Sequence, residues 1–403
     1  MRLRPAAIAA TSVLSAGAAA VAAGRYAAAA ALRPARVPSP EGRVPLPAGF
    51  GGPPLTVHAV RDGSIAVTRS LSAQLPGTYA LTGRDCHAVV GPVLEEESAL
   101  SRADTVVRRL ERVSRGEPVP GSKLWLTPQV CTGGPEDAPG VERTEIEIPG
   151  ELGPLPAWFA PGYRTTWVIT LHGLGATREQ GLALLPAYAR QRFPVLGLAH
   201  RGDPGAPRHS EDVRHLGDTE WRDVASAIRY AVAHGAERVV LHGWSSGATM
   251  ALRAEAELSA RQSASGSAGS RPEPADRALG RISGLVLDSP VLEWTGTLRA
   301  LAASRRTPRP LLPLVVRAAQ GRAGVGPERL DRVVDPAALR VPTLLLHGPE
   351  DTIASWQASQ EFAAAREELV SLHPVPSAPH AAMWNADPAG YEETLRRFLT
   401  PLM

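Results

Sequence analysis

The pentapeptide Gly243-Trp244-Ser245-Ser246-Gly247 is where residue types and spacing in this chain first suggest chemistry. It follows the apolar run ERVVLH and opens SSGATMALRAEAEL, which predicts a tight turn from a strand into a helix. A serine at the centre of such a turn has a strained backbone, and the flanking glycines omit the Cβ atoms that would collide there. Its hydroxyl then stands at a helix N-terminus, where the amides favour developing negative charge. Ser245 holds the central position and is the expected nucleophile. Ser246 holds the variable one and is its decoy.

A hydroxyl is a poor nucleophile until a base takes its proton, and the base needs an acid to fix its tautomer. His380, in APHAAMWNADP, follows the apolar run ELVSLHPV and is the expected base. Asp351, in HGPEDTIAS, follows VPTLLLHG and is the expected acid. Glu350, one residue earlier, and Asp288, at the end of SGLVLDSP, are the alternatives. Nucleophile, acid and base thus occur in that chain order, each just beyond a strand, which predicts acyl transfer through a covalent intermediate.

The elements that must hold these residues can be read from periodicity. Residues 165–173 (TTWVITLHG), 194–202, 237–243, 283–290, 341–348 and 368–375 are continuous apolar runs of the fully buried kind. Helical segments separate most of them; residues 218–234 carry Val224, Ala227, Ile228, Ala231 and Val232 at helical spacing. Such alternation predicts an α/β fold, a mostly parallel sheet with helices on both faces. Residues 142–148 (ERTEIEI) alternate as a half-exposed strand should. Residues 259–280 predict a flexible insertion, and residues 291–335, with Pro308, Pro310 and Pro313, a helical lid. Upstream, residues 55–140 form a β-rich extension with turns at Asp62-Gly63 and Pro76-Gly77, and residues 100–115 an Arg-rich helical stretch within it. Residues 141–403 form the main domain, and residues 33–54 a Pro/Gly-rich linker.

LHGLGAT (171–177), LGDTEWRDV (216–224), GWSSGA (243–248), LVLDSP (285–290), LLLHGPEDTI (344–353) and PHAAMWNADP (379–388) resemble the α/β-hydrolase superfamily, in particular its serine-aminopeptidase-like and Bem46-like group. The resemblance spans residues 142–403. It implies a serine hydrolase acting on a small-molecule ester or a short peptide, with no cofactor. Ser245 would be nucleophile, His380 base, Asp351 acid, and the backbone N–H groups of Leu174 and Ser246 the oxyanion hole. The sequence has HGLG where many esterases have HGGG, which argues against a lipase of that type. An ester is the expected substrate. A peptidase, an acyltransferase or a non-enzymatic binding protein on the same scaffold are the alternatives.

Composition excludes other classes. The chain has 403 residues, and 43 basic minus 40 acidic residues leave a net charge of +3, with no basic-aromatic module of the nucleic-acid-binding kind. His172, His242 and His347 each precede a glycine at a strand end and predict structural hydrogen bonding. The remaining histidines lack ligand spacing, so no metal is expected. Trp244, Trp294 and Trp384 are candidate pocket walls, with core packing the competing role. Asp387-Pro388 predicts an N-cap and first turn of the final helix. The arginines between 299 and 332 predict a solvated lid face. Residues 5–24 are uncharged and follow Arg2 and Arg4, so residues 1–32 predict a secretory signal or membrane anchor and an extracytoplasmic location. There Cys86 and Cys131 could pair.

Overall fold

The computed structural model describes residues 46–403 except 135, 136, 139, 210–213 and 268–279, together with positions 22, 24, 25 and 28. The signal or anchor expected over residues 1–32 therefore lies almost wholly outside the described residues, as does the linker before residue 46. Among the described residues no helix is long and apolar enough to cross a membrane.

The β-rich extension is a closed antiparallel barrel. Its strands are β1 (Leu55–Arg61), β2 (Ser64–Thr68), β3 (Tyr79–Thr82), β4 (His87–Val93), β5 (Thr105–Arg115) and β6 (Lys123–Thr127), in the order β1-β2-β5-β4-β3-β6. The ring is closed by β6 pairing back onto β1. Asp62-Gly63 makes the first hairpin turn, with Gly63 at φ +73°. Leu55, Val57, Ile65, Val67, Tyr79, Leu81, Val106, Leu124 and Leu126 fill the interior. Residues 105–115, expected as helix, are β5 instead. The β-branched Thr105, Val106 and Val107 suit a pleated surface, and beyond the buried Arg108 the exposed Arg109, Glu111 and Arg115 alternate outward between partners β2 and β4. The short helix α1 (Glu95–Ala99) precedes β5.

The main sheet has eight strands. After β7 (Thr144–Pro149) come β8 (Pro154–Ala160), β9 (Thr166–Leu171), β10 (Val195–Leu198), β11 (Arg238–Trp244), β12 (Ile282–Asp288), β13 (Thr343–His347) and β14 (Val370–Pro374), ordered β14-β13-β12-β11-β9-β10-β8-β7. The pairs from β10 to β14 are parallel and the β7–β8–β10 edge is antiparallel. β8 escapes the sequence pattern because Pro154 and Pro156 read as turn residues, yet Leu155, Ala157 and Trp158 are buried.

Alternate residues of each strand serve opposite faces, the period of two that a strand imposes. Ile169, Leu171, Val239, Leu241, Leu285, Leu287 and Leu345 enter one core with α3 (Trp221–Ala233), α4 (Ser246–Ser267) and α8 (Trp356–Ala364). Val168, Val240, Val286, Leu344 and Leu346 enter the other with α2 (Leu185–Arg190) and α10 (Pro388–Leu399). The expected insertion at 259–280 is helical as far as Ser267, as part of α4; residues 268–279 lie outside the described residues. Between β12 and β13, residues 291–335 form α5 (Trp294–Ser304), α6 (Leu312–Ala323) and α7 (Pro327–Asp331), packed into the first core through Leu298, Val315, Ala319 and Leu330. Pro313 sits in the first turn of α6, where its missing N–H costs nothing. Cys86 and Cys131 are buried and unbonded, so the permitted disulfide does not form.

Candidate active site

The carboxyl ends of β9, β11, β13 and β14 lie along one edge of the sheet and carry the residues singled out above. At the end of β11, Ser245 adopts φ +51°, and its N–H donates to Asp288 O at 2.8 Å. The flanking glycines are sterically required. A Cβ at Gly243 would lie 2.4 Å from Ala248 N, and one at Gly247 2.0 Å from Leu171 O. Both obstacles are backbone, so neither can swing away. Gly247→Ala is expected to destabilise by at least about 3 kcal/mol, the scale of severe overpacking, as a large fall in thermal midpoint. Exposed Gly321, in α6, leaves open space for a Cβ, with no atom within 4 Å, and Gly321→Ala should raise the midpoint slightly.

His380 follows β14, with its Nε2 2.7 Å from Ser245 Oγ and its Nδ1 2.7 Å from Asp351 Oδ2. Ser245 and His380 are each 2% exposed. Asp351 Oδ1 accepts from the backbone N–H groups of Ile353 (2.7 Å) and Ala354 (3.0 Å). Its Oδ2 also accepts from His347 Nε2 at 3.0 Å, while His347 Nδ1 meets Ser359 Oγ at 2.7 Å. Burial alone would raise the Asp351 carboxyl, but the His380 and His347 imidazoles outweigh it and hold the group well below the usual carboxylate range. An ionised Asp351 can only accept. His380 Nδ1 therefore carries the proton, and Nε2 presents its lone pair to the serine hydroxyl.

The two alternative acids are placed elsewhere. Glu350 is exposed and accepts from Ser377 N. Asp288 is fully buried, which pushes its carboxyl well up, and its hydrogen bond goes to Ser289 while the Nδ1 of the base is taken by Asp351. The Ser289 hydroxyl that donates to it receives the N–H of Ala381, next to the base. Two carboxyls at neighbouring strand ends are thus shifted in opposite directions by their surroundings. The sequence predicts structural hydrogen bonding for His347 but not Asp351 as its partner, and gives no sign of the role of Ser289. The only hint of that partner is the His-Gly pair four residues before Asp351.

Beyond β9, the loop bearing Leu174 passes close to the serine turn. A Cβ at Gly173 would lie 3.0 Å from Ser245 Cβ. The loop is anchored by Gly173 N donating to Gln180 Oε1 (2.9 Å) and by His172 Nε2 against Asp203 Oδ2 (2.6 Å). Ser246 begins α4, so its amide belongs to the first-turn N–H groups that have no partner within a helix. Trp244 and Trp294 fill cores, and the half-buried Trp384 packs against one. Trp244 is 3% exposed and stacks on His242 at 4.0 Å, and Trp294 is 1% exposed beneath the helices between β12 and β13. Trp384 donates to Glu392. Asp387 caps α10 by accepting from Gly390 N at 3.0 Å, as expected.

His172, His200 and Asp203 bring ligand-type atoms within 4.8 Å of one another. The two rings are stacked, with centroids 4.2 Å apart and an 18° tilt. Imidazole lone pairs lie in the ring plane, and no point beside such a stack lies in both planes. Asp203 is also taken by Arg214 at 3.0 Å. Asp203, bonded to His172, Arg214 and the backbone N–H of His200, is a brace for the Leu174 loop. Burial lowers both His200 and His242 to about 3, leaving them uncharged. His242 is held between Tyr188 OH (2.5 Å) and Tyr391 OH (2.9 Å). The unfolded chain takes up these protons near pH 6.5, so stability is complete above that pH and is lost as pH falls toward 3. Each group can remove up to about 1.4 kcal/mol per pH unit in that window. Chemical denaturation at pH 7 and pH 5 should show this loss, and His242→Gln should reduce its slope.

Residues 168–394 match the sequence profile of the alpha/beta hydrolase family, and residues 56–127 match one described only as a domain of unknown function. Among solved structures, the esterase Pf2001 of Pyrococcus furiosus in space group P21 is 19% identical with a TM-score of 0.51, covering 67% of this chain and 96% of that one. A second crystal form of it, P212121, gives 20%, 0.52, 67% and 94%. XC6422 of Xanthomonas campestris, a serine hydrolase without a lid, gives 16% and 0.43, covering 65% of this chain and 95% of that one. At these identities the likeness is one of fold. No curated protein matches the sequence.

Proposed function

The chain belongs to the alpha/beta hydrolase family, and from that premise we propose that it is a serine hydrolase cleaving an ester through an acyl-enzyme. The observation that carries this is the hydrogen-bonded series Asp351 Oδ2–His380 Nδ1 and His380 Nε2–Ser245 Oγ, both 2.7 Å. His380 takes the hydroxyl proton as Ser245 Oγ attacks the carbonyl, and Asp351 stabilises the imidazolium. The N–H groups of Leu174 and Ser246 receive the oxyanion; in such sites one donor is worth about 3 kcal/mol. The leaving alcohol takes the proton from His380, and water then resolves the acyl-enzyme by the same steps. The uncharged run over residues 5–24 supports an extracytoplasmic setting for this chemistry.

A panel of p-nitrophenyl esters set against aminoacyl p-nitroanilides tests the proposal. A burst of p-nitrophenol equal to the enzyme concentration, with esters turned over much faster than amides, is the expected result. Faster turnover of the amides would make the protein a peptidase, and no turnover of either class by folded protein would refute the proposal. The burial of Ser245 and His380 favours acyl transfer to an acceptor other than water as the second reading. In that case a small alcohol would divert the acyl group into a new ester.

A further inference from the structure

The barrel touches both loops that complete the site. Asn385, five residues after His380 and 4% exposed, donates from Nδ2 to Thr78 O and Pro128 O, both at 2.9 Å. Its own carbonyl accepts from Thr78 N at 2.8 Å. Both neighbours of the side-chain nitrogen are carbonyl oxygens, so only a hydrogen-bond donor satisfies them, and the amide NH2 offers two. Contact here is tight: Gly77, at φ +84°, would place a Cβ 2.0 Å from Asn385 O. Ala382, two residues after the base, is packed into the barrel's apolar core.

The barrel presents the Thr78 carbonyl at the end of a fixed segment. Arg108 is fully buried, and its guanidinium donates to Ala73 O (3.0 Å), Leu75 O (2.7 Å), Gly77 O (2.8 Å) and Gly91 O (2.9 Å). Burial lowers it to about 10, so it remains charged at neutral pH. On the other side of the site, Ala48 N donates to Leu174 O at 3.0 Å, and Gln129 Nε2 to Thr177 Oγ1 at 2.8 Å. A Cβ at Gly49 would lie 3.4 Å from His380 Cβ. Residues 46–50, ahead of β1, are thus a strap seated between the Leu174 loop and the base.

From this geometry we propose that Asn385 is a positioning residue through which the barrel sets the His380 imidazole against Ser245 and Asp351. The proposal rests on the serine-hydrolase function given above. The short α9 (Met383–Ala386) immediately follows the base, and the Asn385 hydrogen bonds fix that turn from outside the hydrolase domain. A displacement near 1 Å is enough to cost about 100-fold in rate.

Asn385→Asp, Asn385→Ala and Gly77→Ala in the full chain test the proposal, with exposed Leu71→Ser as a control on the barrel surface. Asn385→Asp, which turns a carboxylate toward two carbonyls, should lower kcat by about 100-fold and Asn385→Ala by about 10-fold, with KM little changed. Gly77→Ala, striking the same contact from the barrel side, should also lower kcat selectively, and Leu71→Ser should leave it alone. Proton NMR supplies a readout independent of turnover: the low-field signal of His380 Nδ1–H should broaden or shift in both Asn385 variants. Variants that lose thermal stability while keeping wild-type kcat and an unchanged low-field signal would overturn the proposal. If the wild type itself shows no turnover, the hydrolase function fails, and the low-field signal alone still decides whether Asn385 positions the imidazole.

Discussion

Ser245→Ala is expected to lower ester turnover by about 10⁴- to 10⁶-fold while leaving the protein folded. The substitution removes only the Oγ that meets His380 Nε2 and keeps the N–H that bonds Asp288 O. Residual rate above the uncatalysed reaction would come from Leu174, Ser246 and simple binding. Ser246→Ala should change turnover little, because the Ser246 hydroxyl is buried without a hydrogen-bond partner and only its backbone N–H has a part in the reaction. Steady-state rates of the two variants on one p-nitrophenyl ester make the comparison. A large loss in Ser246→Ala with activity retained in Ser245→Ala would reverse the assignment.

Asp351→Asn is expected to cost about 10³- to 10⁴-fold in kcat. One carboxylate oxygen accepts from Ile353 and Ala354, and the other from His380 and His347. An asparagine that keeps its carbonyl toward the two backbone N–H groups turns its NH2 toward both imidazoles. His380 must then move its proton to Nε2, where it faces Ser245 as a donor and cannot act as a base. Asp288→Asn should have a small effect, since that carboxyl hydrogen-bonds Ser289 and not the base. Glu350→Gln should be silent in kcat. An Asp288→Asn loss larger than that of Asp351→Asn would move the acid to the end of β12.

The site is more legible in the sequence than its surroundings are. Gly243, Ser245 and Gly247 stand out because the turn permits few other residues at those positions, and Asp351 and His380 follow apolar runs of the buried-strand kind. What the sequence hides is non-local. The bond from His347 to Asp351 looks like any His-Gly strand end, and Asn385 finds its partners 257 and 307 positions away in the chain. Residues 100–115 suggest an Arg-rich helix, but pairing of 105–115 with β2 and β4 decides the outcome. Pro154 and Pro156 conceal β8 in the same way. The strap at residues 46–50 reads as a spacer, and only its closeness to Leu174 and His380 reveals a place in the site.

The most direct measurement is the position of the adduct formed by a fluorophosphonate, which reacts only with a serine whose hydroxyl a base has activated. Peptide mass spectrometry of the labelled protein should find one phosphonyl group per chain, on Ser245, and none after Ser245→Ala. An unlabelled Ser245 in folded wild-type protein, or a modification on Ser246 or another side chain, would contradict the account.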